Sequence, residues 1–458
     1  AAGMGCGSAK SGQEQRDVTP ATRRHLSLGS VGEDDEPGKG SSPSSQGTDE
    51  DRSMLLQLNT QQVLKLVNSR DGLSEHAGDA GMRRSFTVGT MTDGDMHRVE
   101  SFKMKTIKAY GQPMQPQDGI GFACKKGQKP ESPNQDSFFI LKVDGVCSIY
   151  GVFDGHGRKG HDVSNFIKEN LPKILLQQKT LRQDPLTALS ETFAQTQRLI
   201  VEATRLRMID ATQSGSTVSV IYHDHTKNVL HVAHVGDSRC VLGQFKDEAE
   251  PGENWTATDL TVDHKPNDPA ERRRIEAGGG RVVFDGGWNY RVYAKNHRGP
   301  GLNMSRAMGD LKGFWHAGIS ATPDISSVHV RAHQDPAKSK ESTAGDGVTE
   351  VEPTDADSDG GMEGMVGKDS ATSKASCVSS QASLSSYSLA PSDKFLLLCS
   401  DGVWEFLTSE EAVRVVSKFD AKDAMKAADH LTGIAWDRWI KELQGQVVDD
   451  ITAVVVNL

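Results

Sequence analysis

The sequence predicts an α+β fold, because strand-like and helix-like segments alternate along the chain. Apolar runs at 217–222 and 229–235 have the length of strands. Longer stretches at 163–178, 185–207 and 269–277 have the length and mixed polarity of surface helices. Interleaved strands and helices cover each other's apolar faces, so we expect a layered α+β domain.

Residues 1–99 are predicted to form an N-terminal extension that is mostly disordered. Residues 11–51 are rich in Ser, Gly, Pro and acidic residues and are too polar to bury a core. Residues 54–67 have an amphipathic pattern that predicts a short helix. This helix could dock on the rest of the chain, bind a partner or remain loosely packed, and the pattern does not choose among these.

The first residues carry a lipidation pattern. We interpret Met4 as the native start behind a three-residue expression scar, which makes Gly5 the second native residue. Gly5 and Cys6 then predict myristoylation and palmitoylation, although Ala9 stands where Ser or Thr is preferred. The alternative is an unmodified terminus. Since no apolar stretch approaches the ~20 residues of a membrane-spanning helix, we expect a cytoplasmic protein tethered to the cytosolic face of a membrane.

The composition excludes some classes of function. The 458 residues carry a net charge of −10, which argues against nucleic acid as a partner. Six cysteines lack the spacing of a metal site or a disulfide framework, and we interpret them as free thiols in a reducing compartment. Histidines around a predicted hairpin turn, His231 and His234 among them, alternate between faces. We therefore interpret them as solvated rather than as a zinc site.

A second break in composition runs from about residue 332 to residue 391. This segment holds ten acidic residues against four lysines, and its second half is rich in Ser. A long stretch without an apolar pattern is predicted to be a disordered surface insertion. It interrupts the domain that we expect to occupy residues 100–458.

Carboxylates stand at the ends of several strand-like runs. Apolar runs lead into Asp154 and Asp401, and another run follows Asp449. Asp237 lies just beyond a further run. Oxygen ligands with almost no Cys or His among them are typical of a hard-cation site, which would bind Mg²⁺ or Mn²⁺ rather than Zn²⁺.

Seven short motifs carry a resemblance to a known family. In chain order they are Asn134-Gln135-Asp136, Phe153-Asp154-Gly155-His156-Gly157, Ser214-Gly215-Ser216-Thr217, Val235-Gly236-Asp237-Ser238-Arg239, Ser305-Arg306-Ala307-Met308-Gly309-Asp310, Cys399-Ser400-Asp401-Gly402-Val403-Trp404 and Asp449-Asp450-Ile451-Thr452. They resemble the successive motifs of the type 2C metal-dependent protein phosphatases. The resemblance covers residues 100–458 apart from the insertion.

The resemblance implies both a fold and an activity. The implied fold is two antiparallel β-sheets packed as a sandwich, flanked by helices, with a metal site in a cleft at one end. The implied activity is hydrolysis of phosphoserine and phosphothreonine in phosphorylated proteins, by a water that two Mg²⁺ or Mn²⁺ ions activate. No phosphoenzyme is needed, and none of the six cysteines has an Arg six positions later, as a cysteine phosphatase requires. We expect a monomer.

The resemblance also assigns roles to residues. The implied ion ligands are Asp154, the Gly155 carbonyl, Asp401 and Asp449, with Asp237 and Glu405 at a third, weaker ion site. His156 is the predicted acid that protonates the leaving alkoxide, a role that suits a pKa near neutrality. Asp136 is the second predicted catalytic residue.

Two positions depart from the family pattern. Gln135 stands where many members have Glu, which replaces a carboxylate near the second ion with an amide. The usual phosphate-binding Arg aligns with Glu131, and Lys129 or Lys126 would substitute as a point charge. Because of Gln135, the rival hypothesis is a pseudophosphatase that binds phosphoproteins without hydrolysing them. A hydrolase of small phosphate esters is a third hypothesis.

Overall fold

The structure is a computed structural model that describes residues 84–90, 105, 107–129, 133–246, 254–287, 289–330, 386–389 and 392–458. The predicted lipidation sites Gly5 and Cys6 and the predicted helix at 54–67 lie outside the described residues, as does most of the acidic insertion. Among the described helices, none is both long enough and apolar enough to cross a bilayer.

The described residues form short strands and helices in alternation. The strands are β1 (Ser85–Thr90), β2 (Ile107–Gly111), β3 (Ile120–Lys125), β4 (Ser137–Val143), β5 (Cys147–Phe153), β6 (Gly155–His156), β7 (Gly215–Ser216), β8 (Val218–Asp224), β9 (Val229–Val235), β10 (Arg239–Phe245), β11 (Trp255–Asp259), β12 (Gly280–Phe284), β13 (Tyr290–Ala294), β14 (Pro300–Leu302), β15 (Met308–Gly309), β16 (Asp324–Val330), β17 (Ser386–Leu389), β18 (Asp393–Cys399) and β19 (Ile451–Asn457). The helices are α1 (Gly160–Gln177), α2 (Pro185–Arg205), α3 (Pro269–Ala277), α4 (Leu311–His316), α5 (Asp401–Trp404), α6 (Ser409–Val416) and α7 (Ala424–Glu442).

Two large sheets form the centre of the fold. One has the strand order β17-β16-β9-β8-β5-β4-β1-β2, and the other has the order β11-β10-β18-β19-β3. Neighbouring strands in both sheets are antiparallel except β16 and β17, which are parallel. The predicted α+β sandwich of two antiparallel sheets is confirmed.

Alternation along the strands separates the core into layers. On β4, Phe138 and Ile140 face the other sheet and belong to the same core cluster as Leu396 and Leu398 of β18. The intervening residue of β4, Phe139, belongs instead to the layer beneath α1 and α2. Because successive side chains of a strand point to opposite faces, both faces of each sheet are covered by apolar contacts.

The helices close the outer faces of the sandwich. α1 and α2 cover the eight-stranded sheet, and α6 and α7 cover the five-stranded one. Local sequence sets where these helices begin. The Asp184 side chain accepts a hydrogen bond from the Thr187 backbone N–H at the start of α2, and Thr408 and Glu411 form a capping box at the start of α6. The result is a helix, sheet, sheet, helix stack.

The predicted start of the domain at residue 100 is too late. β1 lies before that boundary, yet it pairs with β2 on one side and β4 on the other. Phe86 and Val88 are only 1% and 3% exposed, because they pack between the two sheets. The folded domain therefore includes at least residues 84–90.

The predicted end of the insertion at residue 391 is also too late. β17 falls within the predicted disordered segment, but its backbone pairs in parallel with β16, from Ser327 with Ser386 to Val330 with Leu389. The chain has thus rejoined the edge of the large sheet by residue 386.

Deletion of residues 332–384 is expected to leave the protein folded. Joining the ends with a short Gly/Ser linker changes the closure entropy by only roughly 0.6 kcal/mol per doubling of loop length. Deletion of residues 332–391 also removes β17, so its thermal midpoint should be lower than that of the shorter deletion, by about 2–4 °C for each 1 kcal/mol lost. Circular dichroism melts of the two variants test this. Equal midpoints would show that β17 adds no stability.

The hairpin histidines are not solvated as predicted. His231 and His234 are 7% and 4% exposed. His231 hydrogen-bonds Ser327 of β16, and His234 stacks on His264 with ring centroids 4.4 Å apart. The turn itself was interpreted correctly, but β16 and the loop after β11 cover these side chains. Burial and the neighbouring His264 lower the pKa of His234 to about 3.

Candidate active site

The predicted carboxylate ligands, which adjoin strand ends, come together at one end of the sandwich. Asp154 follows β5 of one sheet, whereas Asp401 follows β18 of the other. Asp449 precedes β19, which runs antiparallel to β18. The end of β18 and the start of β19 therefore lie side by side, and so do Asp401 and Asp449. Since β5 packs across the sandwich against β18 and β19, the two sheets deliver the three carboxylates to one place.

The negative charges of these carboxylates raise one another's pKa values. Burial, followed by the charges of Asp136, Asp401, Asp449 and Asp237, raises the pKa of Asp154 well above its usual value. Burial and nearby carboxylates raise the pKa of Asp401 in the same way. A cluster of buried and half-buried acids that oppose one another's ionisation is stabilised by positive charge among them.

Two lysines supply part of that charge. Lys129 Nζ lies 2.5 Å from Asp449 Oδ1, and Lys265 Nζ lies 2.5 Å from Asp237 Oδ2. Burial alone would lower the pKa of Lys129, but Asp449 and Asp450 outweigh it, and the pKa is raised. Lys129, the predicted phosphate-binding residue, thus contacts Asp449, a predicted ion ligand. The phosphate-binding role of Lys129 stays a prediction.

The donor set fits a hard cation. In the part of the chain that the structure describes, no three His, Cys, Asp or Glu side chains already form a group that could hold a metal ion. Three buried carboxylate oxygens nevertheless lack hydrogen-bond partners within that part, namely Oδ1 of Asp136, Asp237 and Asp310. Asp136 and Asp237 belong to the group whose charges act on Asp154. Carboxylate oxygens without partners are the kind of ligand that Mg²⁺ and Mn²⁺ prefer.

The loop after Asp154 is held tightly by glycines. A Cβ on Gly155 would lie 2.4 Å from the Gly160 carbonyl oxygen and 2.6 Å from that of Gln135, so no other residue fits there. The Gln135 side chain donates from Nε2 to the Gly157 carbonyl at 2.7 Å. The amide that departs from the family pattern therefore supports the backbone of this loop.

Asp136 lies buried beside Asp401, and its predicted catalytic role stays a prediction. Its side chain is 0% exposed, and its Oδ2 accepts a hydrogen bond from Ser400 Oγ at 2.7 Å. Burial and the nearby Asp450 raise the pKa of Asp136 to about 7. Because Ser400 immediately precedes Asp401, this hydrogen bond ties Asp136 to the backbone that carries a predicted ion ligand.

Asp450 was not assigned a role from the sequence. Its two carboxylate oxygens accept hydrogen bonds from the backbone N–H groups of Gly127 and Gln135, both at 2.7 Å. These contacts join the strand-end segment at Asp449 to the two loops beside it. The pairing of Asp449 and Asp450 in the last motif was the signal that could have indicated this role.

Asp310 is the hydrogen-bond partner of His156, the predicted acid, and the sequence analysis did not identify it. His156 Nε2 donates to Asp310 Oδ2 at 2.5 Å. The two meet because β6 pairs with β7 and β7 pairs with β15, which places the Met308–Gly309 strand beside Gly155–His156. A Cβ on Gly215 would lie 2.1 Å from Asp310 Oδ2, so a glycine is required in β7.

The carboxylate of Asp310 changes the protonation of His156. Burial by itself would lower the pKa of the imidazole, but the charge and hydrogen bond of Asp310 outweigh it, and the pKa of His156 is raised. The protonated form therefore persists to higher pH than in a free histidine. Nδ1 of the same ring is buried and has no partner among the described residues.

The third-site residues lie beside the cluster. Asp237 is 1% exposed and points its Oδ2 at Lys265. Glu405 follows α5 directly, and its charge helps to raise the pKa of Asp401. Both residues are therefore close enough to act on the predicted ion ligands electrostatically. Lys265, which the sequence analysis did not single out, is the cation at this position.

Comparison with known proteins decides the family. A family model described as protein phosphatase 2C matches residues 125–336 and 359–438. The chain belongs to the protein phosphatase 2C family. Membership makes it a protein serine/threonine phosphatase with phosphoprotein substrates, and it implies the use of divalent metal ions. The resemblance inferred from the seven motifs is confirmed.

Individual protein phosphatase 2C relatives match most of the chain. Probable protein phosphatase 2C 48 of Oryza sativa subsp. japonica is 28% identical over 409 residues, which cover 82% of this chain and 95% of the relative. Probable protein phosphatase 2C 61 of Arabidopsis thaliana is 30% identical over 334 residues, which cover 71% and 80%. The solved structure of a serine-threonine phosphatase 2C from Toxoplasma gondii has a TM-score of 0.50 at 18% identity, with 74% and 94% coverage, and supports the fold.

Proposed function

We propose that this protein hydrolyses phosphoserine and phosphothreonine in proteins by direct attack of water, with the help of two Mg²⁺ or Mn²⁺ ions. The observation that carries the proposal is the group of repelling carboxylates beside the His156–Asp310 pair. Asp154, the Gly155 carbonyl, Asp401 and Asp449 would hold the ions. Bound there, divalent ions neutralise phosphoryl oxygens and make a water molecule more acidic.

The protein's own residues supply the proton that the leaving group needs. Asp310 accepts the hydrogen bond from Nε2 of His156 and stabilises the charged imidazolium. This leaves Nδ1, which has no partner among the described residues, to carry the transferable proton. A serine or threonine alkoxide is a poor leaving group, so protonation by a positioned acid speeds its departure.

Hydrogen bonds hold the backbone around the site. Thr217 Oγ1 accepts a hydrogen bond from the Asp154 N–H at 3.0 Å, and the Thr217 N–H donates to the Asp154 carbonyl at 2.9 Å. Together with the Gln135 contact to Gly157, these bonds fix the direction in which Asp154 and His156 leave the sheet. Groups fixed before the substrate binds need less reorganisation during the reaction.

The decisive experiment is hydrolysis of a phosphothreonine peptide with Mn²⁺, with Mg²⁺ and with excess chelator. We expect release of phosphate with at least one of the two ions and none with chelator. Turnover that chelator leaves unchanged would contradict the metal requirement. Tight binding of the peptide without release of phosphate under every condition would favour a pseudophosphatase instead.

We also propose that Gly5 carries an N-terminal myristoyl group and that Cys6 carries a palmitoyl group. Expressed from Met4 in a eukaryotic cell, the protein should sediment with membranes, and Gly5→Ala should release it. Cys6→Ala should leave weak, reversible binding, because one myristoyl chain provides an association constant of only about 10⁴ M⁻¹. Fractionation checks this, and equal solubility of wild type and Gly5→Ala would contradict the lipid proposal.

A further inference from the structure

Among the described residues of the candidate active site, the lysines that could bind the substrate's phosphoryl group already have partners. Lys129 and Lys265 face the carboxylates Asp449 and Asp237. At the position where the family usually has its phosphate-binding Arg, the sequence has Glu131. Lys126, the other lysine considered for phosphate binding, donates from Nζ to the Lys129 carbonyl at 2.8 Å and lies 4.0 Å from Asp450 Oδ1. A dianionic phosphoryl group would therefore meet a site at which these three lysines already contact protein oxygens.

Arg158 lies two residues after His156 and is exposed. Within the described part of the chain, its side chain makes no hydrogen bond and no ion pair. The next residue, Lys159, is held differently, since its Nζ lies 3.8 Å from Asp162 Oδ2. Arg158 is thus an unengaged guanidinium on the same loop as the ligand Asp154 and the acid His156.

The backbone that carries Arg158 is fixed on both sides. The Gly157 carbonyl accepts the hydrogen bond from Gln135, and the Lys159 N–H donates to Ser214 Oγ at 2.9 Å. Gly157 has a φ of 82°, and a Cβ there would lie 2.5 Å from the Gln213 carbonyl oxygen. The root of the Arg158 side chain is therefore held in place while its guanidinium stays available.

From this arrangement we propose that Arg158 binds the phosphoryl oxygens of the substrate, in the role that the family's usual Arg position cannot fill here. The inference rests on the proposed function. A guanidinium offers two parallel N–H donors that match two phosphoryl oxygens, which a lysine cannot do. Since the residue is exposed in the free protein, its contribution falls as ionic strength rises.

Lys312 is a competing candidate for this role. It lies on α4 two residues after Asp310, it is exposed, and its side chain has no partner among the described residues. It offers a point charge rather than a fork. Arg198, which is exposed on α2, has the same charge as Arg158 on a different element. Lys312→Ala and Arg198→Ala are therefore the matched controls.

The test compares three substrates or ligands of the phosphatase. For Arg158→Ala we expect the KM for a phosphothreonine peptide to rise about tenfold at low salt with a smaller change in kcat, the size expected for one lost charge-assisted contact. The KM for 4-nitrophenyl phosphate and the inhibition constant of inorganic phosphate should rise similarly. Arg158→Lys should recover only part of the loss, and both control variants should resemble wild type.

Other outcomes overturn the inference. An effect confined to the peptide would mean that Arg158 contacts residues flanking the phosphothreonine, and an effect of Lys312→Ala alone would assign the role to Lys312.

Binding of a fluorescent phosphopeptide and of the same peptide without the phosphate, both in chelator, gives a measurement that does not depend on turnover. If wild type hydrolyses nothing but its preference for the phosphorylated peptide depends on Arg158, the proposed catalysis fails while this inference stands.

Discussion

Asp401→Asn is expected to reduce metal-supported turnover about a thousandfold or more while the protein stays folded. The substitution keeps the shape of the side chain but removes one negative oxygen from the small set of ligands proposed for the ions, and each ion contributes several kcal/mol of charge stabilisation. Asp154→Asn should have an effect of similar size. Phosphate release from a phosphothreonine peptide with Mn²⁺ measures the loss, and Asp437→Asn, an exposed acid on α7, is the control.

Stability in chelator provides a second measurement on the same variants. Burial and neighbouring carboxylates raise the pKa of Asp401 above its unfolded value, so the folded state binds more protons and stability falls as pH rises between the two values. Asn is neutral at every pH and escapes this loss. We expect the melting temperature of Asp401→Asn at pH 7.5 in chelator to equal or exceed that of wild type. Wild-type turnover in Asp401→Asn or Asp154→Asn would contradict the assignment of that residue as an ion ligand.

His156→Ala is expected to slow release of threonine far more than release of 4-nitrophenol. General acid catalysis contributes about 10²–10⁴-fold for a leaving group that needs a proton. Nitrophenolate leaves without one, so the ratio of the two kcat values should change by that factor. An equal loss with both substrates would show that His156 supports the site structurally and does not donate a proton.

Asp310→Asn tests the partner of that acid. Asp310 raises the pKa of His156 against the effect of burial, so the protonated acid persists to higher pH in wild type. With Asn the pKa should fall, and the alkaline limb of kcat for the phosphopeptide should move to lower pH. The pH profile with 4-nitrophenyl phosphate serves as the control, since that reaction needs no acid. An unchanged alkaline limb would contradict the coupling of the two residues.

Much of this site could be predicted from local sequence, for a physical reason. Asp154, Asp401 and Asp449 each adjoin an apolar run, and strands that must bury their faces end where polar residues begin. Antiparallel pairing then brings the end of one run beside the start of the next, as for β18 and β19. The strand β1 was missed because its six residues follow a polar segment, and their burial depends on β4, about fifty positions later.

The sequence by itself determined the family, the layered fold and the kinds of ligand, because motif residues and strand patterns are properties of short segments. Only the tertiary structure decided which charges meet. His156 and Asp310 are 154 positions apart, and Lys129 and Asp449 are 320 apart. Contacts over such separations depend on how the two large sheets and the small sheet of β6, β7 and β15 pack together. That packing engages Lys129 and Lys265 with carboxylates and leaves Arg158 unpaired.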